Sequence, residues 1–182
     1  MNYHNLTYPD QNNGDGLRVV LWLSGCSHHC YKCQNPQTWD TKDGILFDEK
    51  AKKELFEELN KDYISGLTLS GGDPLHKENL DDVLNLVNEI RVLFPNKTIW
   101  LYTGYTWEEC NTLLKGIDEY CRTYNQNNKK RQQIISLCDV IVDGEYIDSQ
   151  RDISAKWRGS LNQRVINIKQ SLEQNKIVLH CD

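Results

Sequence analysis

The sequence predicts an α/β fold, an open partial (β/α) barrel of about five or six mostly parallel strands. Three observations lead there. Short apolar runs rich in Val, Ile, Leu and Trp alternate with segments of helical period. The runs are bounded by Gly, Asp or Asn, as buried parallel strands tend to be. At 182 residues, the chain is also too short for eight strand–helix units, which take about 250 residues. No internal repeat, low-complexity tract or linker breaks the pattern, so residues 1–182 are expected to form one domain.

Taken in order, the strand candidates are Arg18–Leu23, Leu67–Ser70, Thr98–Tyr102, Asp139–Val142, Arg164–Ile168 and Ile177–Leu179. Between the first two, Asp48 is placed to cap a helix running to about Asn60. After the second, apolar residues fall at Leu80, Val83, Leu84, Val87, Ile90 and Phe94. That is the stripe of a helix packed on a sheet, with Asn79 as N-cap and Pro95 just past its end. After the third, Thr106-Trp107-Glu108-Glu109 reads as a capping box, hydroxyl and carboxylate each satisfying a free backbone N–H. The basic run Lys129-Lys130-Arg131 follows the polar stretch Asn125-Gln126-Asn127-Asn128, and is expected to be a solvated loop or helix face.

Composition narrows the function classes. Hydrophobic residues make up 38% and charged residues 26%, the balance of an ordinary soluble protein. A net charge of −5 supplies no basic face for phosphates, so no nucleic-acid partner is expected. The opening Met1-Asn2-Tyr3-His4-Asn5 lacks a signal-peptide layout, and the nearby apolar run Val19–Leu23 is too short to cross a bilayer. No membrane association and a cytoplasmic location are expected. Seven cysteines in a reducing compartment point to metal binding or catalysis rather than disulfides.

Three of them stand together. Gly25-Cys26-Ser27-His28-His29-Cys30-Tyr31-Lys32-Cys33 follows the first strand and spaces Cys26, Cys30 and Cys33 as C-x3-C-x2-C. Thiolates suit iron–sulfur clusters and zinc, and this spacing lets one loop wrap three corners of a cubane. A cubane held by three cysteines keeps one iron free to bind a ligand. Two other arrangements use the same residues: a zinc site completed by His28 or His29, and a fully ligated cluster taking Cys110, Cys121, Cys138 or Cys181 as its fourth ligand. Of those four, Cys138 reads as a buried thiol at a strand start, Cys110 and Cys121 fall in helical stretches, and Cys181 lies at the chain's end.

The C-x3-C-x2-C loop at the end of the first strand resembles the signature of the radical S-adenosylmethionine (SAM) superfamily. Asn13-Gly14-Asp15-Gly16-Leu17-Arg18 before the strand and Asn35-Pro36-Gln37-Thr38-Trp39-Asp40 after the cysteines resemble the activating proteins of anaerobic ribonucleoside-triphosphate reductase. The likeness runs from about Gly14 to Val165. Lys32 stands where many superfamily members carry an aromatic residue, which the reductase activators often lack. The resemblance implies a partial barrel of radical SAM type, with Cys26, Cys30 and Cys33 as ligands of a [4Fe–4S] cluster and as catalytic residues. It assigns the SAM ammonium to the turn Gly71-Gly72-Asp73-Pro74 at the end of the second strand, where glycine permits close approach.

Thr103-Gly104 and Asp143-Gly144 end the next two strands, on the rim where parallel sheets build active sites. Asp143 is read as a SAM contact, a residue orienting the partner's peptide, or a plain turn former. Arg158-Gly159-Ser160-Leu161-Asn162-Gln163-Arg164 resembles a block of the same family; Ser160, Asn162 and their neighbours could bind the SAM carboxylate or ribose. His28 and His29 are read as loop residues shielding the cluster, and Trp39 as a residue that could contact a partner.

The implied activity begins with a one-electron donor reducing the cluster. SAM is then cleaved to methionine and a 5′-deoxyadenosyl radical, which takes hydrogen from a glycine of the large reductase subunit. The implied partners are that subunit and the donor; a homodimer is compatible with the sequence. Another small radical SAM enzyme, such as a pyruvate formate-lyase activator or a deazaguanine synthase, would share the cluster, and a non-catalytic zinc-binding module would share the cysteines. The Asn35–Asp40 stretch favours the reductase activator.

Overall fold

The structure is a computed structural model that describes residues 1–181. Among them seven strands form one open sheet in the order β3-β1-β2-β4-β5-β6-β7. They are β1 (Asn2–Asp10), β2 (Leu17–Leu23), β3 (Ile45–Leu46), β4 (Ile64–Gly71), β5 (Thr98–Tyr102), β6 (Val140–Asp143) and β7 (Arg164–Asn167). The central four, β2, β4, β5 and β6, run parallel, while β1, β3 and β7 are antiparallel additions at the edges. The helices are α1 (Glu49–Leu59), α2 (Leu80–Leu93), α3 (Trp107–Asn111), α4 (Glu119–Ser136) and α5 (Ile168–Gln174).

Side-chain alternation decides which face the helices cover. Val19, Leu21 and Leu23 of β2, Leu67 and Leu69 of β4, Ile99 and Leu101 of β5, and Ile141 of β6 all point to one side. There they meet Leu55 and Leu59 of α1, Val83, Val87 and Ile90 of α2, and Ile134 and Ile135 of α4. The other face carries Trp100, Val140, Val142 and Val165, packed by Trp157 and Cys181. All helices that join this core therefore lie on one side, and every parallel strand delivers its C-terminal end to the same rim.

The expected strands are present, Thr98–Tyr102 with the expected ends and the others with shifted ends, except the last. Ile177–Leu179 forms no strand; Leu179 makes an isolated bridge to Ile166. Ile168 belongs to α5 rather than to its strand, because Asn167 caps that helix through Gln170 N–H. Two strands escaped the sequence reading. In β1, burial follows no simple alternation and Pro9 interrupts it, whereas β3 is only two residues long. The strand count is accordingly seven rather than five or six.

Asp48 caps α1 as expected, accepting from Ala51 N–H at 2.9 Å. The Thr106–Glu109 capping box is present, on a helix of five residues. Asn79 precedes α2 but makes no side-chain cap bond; its amide is used elsewhere. The solvated reading of Lys129-Lys130-Arg131 fails at Arg131, which is buried. Its guanidinium donates to Leu75 O (3.1 Å), Asn128 Oδ1 (2.6 Å) and Tyr105 OH (3.0 Å), pinning α4 to the loop before α2. Among the described residues no helix is long and apolar enough to cross a membrane.

Candidate functional site

The cysteine loop begins where β2 runs out. Gly25 takes φ +98°, and a Cβ there would meet the Thr41 methyl at 2.7 Å, so glycine is required at this turn. Gly25 N–H donates to Thr38 O (2.7 Å) and Cys26 N–H to Trp39 O (2.9 Å). The Asn35–Asp40 stretch is thus a backbone splint under the first cysteine. Beyond it, His29 (φ 49°) and Lys32 (φ 55°) adopt left-handed conformations, turning the chain so that one short loop carries all three thiols. Cys33 N–H closes on Cys30 O at 3.0 Å, and Asn35 N–H donates to Cys33 Sγ at 3.4 Å.

These thiols fit a cluster in chemistry and in placement. Cys26, Cys30 and Cys33 are free and half-buried, whereas Cys110, Cys121 and Cys138 are buried in other elements and Cys181 packs against the opposite face of the sheet. Burial, reinforced by the charge of Asp73, pushes the Cys26 thiol up to about 11, against the pull of the His28 and His29 N–H groups. Burial likewise raises Cys30. A bound iron supplies the positive charge that keeps such sulfurs ionised. No three Cys, His, Asp or Glu side chains among the described residues are gathered as ligands of a single ion. A cubane asks for a looser set, since each thiolate binds its own iron.

The turn at the end of β4 is tied to this loop from beneath. Gly72 N–H donates to Leu23 O and Asp73 N–H to Gly25 O, both at 2.7 Å. Asn79 Nδ2 bridges Ser24 O (2.8 Å) and Asp73 O (3.2 Å), which accounts for its missing cap. The Asp73 carboxylate is buried and accepts from the Thr103 hydroxyl (2.9 Å), Gly104 N–H (3.1 Å) and Leu75 N–H (2.8 Å). Its fourth partner is His28 Nε2 at 2.9 Å. Protein donors therefore occupy Asp73, Thr103 lies behind it, and Pro74 is buried.

Beside the loop, a cleft of about 580 Å³ opens along the ends of β5 and β6, and Gly104, Asp143, Gly144, Glu145, Asn162 and Arg164 line it. Asp143 is buried; it accepts Trp107 N–H at 2.7 Å and forms a close ion pair with Arg164. Arg164 also grips Glu108 at 2.8 Å. The Arg158–Arg164 block latches onto this rim: Gln163 Nε2 donates to Gly144 O (2.9 Å) and Asn162 Nδ2 to Glu145 O (2.8 Å). Asn162 Oδ1 is buried and finds no partner among the described residues, an unspent acceptor beside the cleft. Ser160 is fully buried, its hydroxyl receiving Ile147 N–H at 3.1 Å.

The fold thus gathers Gly104, Asp143 and Asn162 at one cleft and Gly71–Pro74 under the cysteine loop, with Thr103 joining the two. Ser160 is set back as support. His28 does more than shield: burial would lower its pKa, but its bonds to Asp73 and Glu145 raise it to about 9. His29 lies against Trp39 with ring centroids 4.7 Å apart, so Trp39 packs on the loop. Sequence reasoning missed Glu145, Asn79 and Arg131 as parts of this frame. Only Glu145 carried a signal, its position directly after Asp143-Gly144 at a strand end.

A family model described as a 4Fe-4S single cluster domain matches residues 12–166. The chain is 40% identical over 167 residues to the anaerobic ribonucleoside-triphosphate reductase-activating protein of Enterobacteria phage T4, covering 91% of this chain and 93% of that protein. It is 37% identical over 171 residues to the protein of the same name from Escherichia coli strain K12, covering 93% and 100%. The Haemophilus influenzae counterpart is 36% identical over 171 residues, covering 93% and 99%. The loop that turns at Gly25 and carries three half-buried thiols lies inside the matched span, and the chain belongs to the family of anaerobic ribonucleoside-triphosphate reductase-activating proteins.

Proposed function

We infer that this chain is a radical SAM activase that generates the glycyl radical of an anaerobic ribonucleoside-triphosphate reductase, acting as an oxidoreductase on a protein substrate. The observation that carries the reading is the three-thiol loop locked by backbone hydrogen bonds to the Gly71–Pro74 turn, on the rim where the parallel strands end. When bound, a [4Fe–4S] cluster supplies the electron that cleaves SAM to methionine and the 5′-deoxyadenosyl radical that takes hydrogen from a glycine.

The chain's own residues hold, orient and enclose. Cys26, Cys30 and Cys33 are the cluster ligands in this reading. Because the Asp73 carboxylate is engaged by protein donors, the SAM ammonium falls to backbone carbonyls of Gly71 and Gly72. The cleft lined by Gly104, Asp143 and Asn162 takes the rest of SAM, with Asn162 Oδ1 as acceptor. Ser160 and Thr103 support these groups from behind. The open sheet is read as a partial barrel of radical SAM type in one domain, and the large reductase subunit covers its rim and excludes water. A one-electron donor reaches the same rim, and nothing in this reading requires a homodimer.

Anaerobic incubation with the reductase, SAM and a reductant, followed by electron paramagnetic resonance, tests the reading. A brown protein with about four irons per chain and a glycyl radical on the reductase are expected. Zinc without iron, or an iron-loaded protein that cleaves SAM yet leaves the reductase without a radical, overturns it.

A further inference from the structure

His28 is held in an unusual way for a residue on a metal-binding loop. It lies between Cys26 and Cys30, yet its side chain is only 10% exposed. Its Nε2 faces Asp73 Oδ2 and its Nδ1 faces Glu145 Oε1, both at 2.9 Å. The ring stands edge-on to Tyr105 at 4.6 Å. Gly104 makes room for it: a Cβ there would lie 2.6 Å from His28 Cγ. Three strand ends therefore grip this one side chain, through Asp73 after β4, Gly104 and Tyr105 after β5, and Glu145 after β6.

Both ring nitrogens are spent on carboxylates, so neither is offered to a metal. We propose that His28 is a positioning residue: it ties the segment between the first two cluster cysteines to Asp73 and Glu145, fixing the cysteine loop against the Gly71–Pro74 turn while leaving the fourth iron without a protein ligand. The proposal rests on the cluster and SAM reading above. Its physical basis is that groups behind the ligands set ligand orientation, and their loss commonly costs about 10–100-fold in metal affinity or activity. Asp73 couples the two halves of the site, since its Oδ2 faces His28 and accepts Gly104 N–H, its Oδ1 accepts Leu75 N–H, and the Thr103 hydroxyl lies 2.9 Å from both oxygens.

Wild type, His28→Ala, His28→Gln and Glu145→Gln are reconstituted anaerobically and compared in three ways: iron per chain, rate of iron loss to a chelator, and SAM affinity read from the change SAM makes in the reduced cluster's electron paramagnetic resonance spectrum. His28→Ala is expected to load about four irons, to lose them about tenfold faster and to bind SAM about tenfold more weakly. Glu145→Gln, altered at a half-exposed carboxylate, should move the same way by a smaller factor. His28→Gln, whose amide can still donate to Asp73, should recover part of the loss. Wild-type iron retention and SAM affinity in both His28→Ala and Glu145→Gln would overturn the proposal, as would a His28→Ala cluster short of one iron, which would make His28 a ligand. If wild type itself binds no iron or no SAM, the functional reading fails instead.

Discussion

Replacing Gly72 with alanine strains the contact between the turn and the cysteine loop. A Cβ at Gly72 would lie 2.6 Å from Gly25 O, 2.9 Å from Thr38 O and 3.0 Å from Gly25 C, where ordinary contact starts at 3.4 Å. All three neighbours are backbone, so no side chain can swing aside. Both carbonyls are also in use: Thr38 O accepts Gly25 N–H and Gly25 O accepts Asp73 N–H, each at 2.7 Å. Turn and loop must separate by the better part of an ångström, and both bonds stretch. Two stretched hydrogen bonds, losing about 0.5 kcal/mol each, with overpacking strain of about 1–3 kcal/mol, put the loss at roughly 2–4 kcal/mol. For a chain of this size that lowers Tm by roughly 5–15 °C. A misplacement of about 1 Å near reacting groups costs on the order of 100-fold in rate, so SAM cleavage should fall by that factor while iron content holds. Differential scanning calorimetry and anaerobic assay of 5′-deoxyadenosine measure the two effects. A Gly72→Ala protein that melts and cleaves SAM like wild type refutes the packing argument.

Other expectations follow from the same geometry. Cys26→Ala, Cys30→Ala and Cys33→Ala should each abolish SAM cleavage and deplete iron, whereas Cys110→Ala, buried in α3 away from the loop, should keep both and lose about 1 kcal/mol of stability; anaerobic iron analysis separates them. Arg131→Met strands the acceptors Leu75 O, Asn128 Oδ1 and Tyr105 OH, and should cost about 3 kcal/mol in urea unfolding. Glu108 is held below its ordinary 4.5 by the Arg164 hydrogen bond, so its contribution is present above pH 4.5 and fades as the pH falls through its lowered folded value. The carboxylate is largely exposed, so Glu108→Gln should cost no more than about 1 kcal/mol at neutral pH, less in high salt, and nothing in strong acid; unfolding curves across pH would expose an opposite trend.

Much of the fold was legible because local rules and tertiary packing agree. The continuous apolar run Val19–Leu23 in β2 reports a buried parallel strand, and the spacing of Leu80, Val83, Val87 and Ile90 in α2 reports the face that meets the core. The capping residues Asp48 and Thr106 act within one turn of chain, so sequence alone suffices for them. β3, two residues long at the sheet's edge, is too short to carry a pattern, and β1, which lies between β3 and β2, was illegible because its burial does not alternate and Pro9 interrupts it. Arg131 misled because a charged residue beside two lysines carries no mark of the carbonyls and hydroxyl that fold around it.

The same division runs through the site. Sequence by itself determined which atoms could do the chemistry, since three soft sulfurs at C-x3-C-x2-C, followed by a Gly-Gly-Asp-Pro turn, depend only on residue type and short spacing. Only the tertiary structure decided how they are held. Asp73, open to a reading as a ligand acceptor, is filled by His28, Thr103, Gly104 and Leu75, and Glu145 reaches His28 across 117 positions of chain. Such partners are chosen by which strand ends become neighbours on the rim, and that follows from burying one apolar face of the whole sheet rather than from any local pattern.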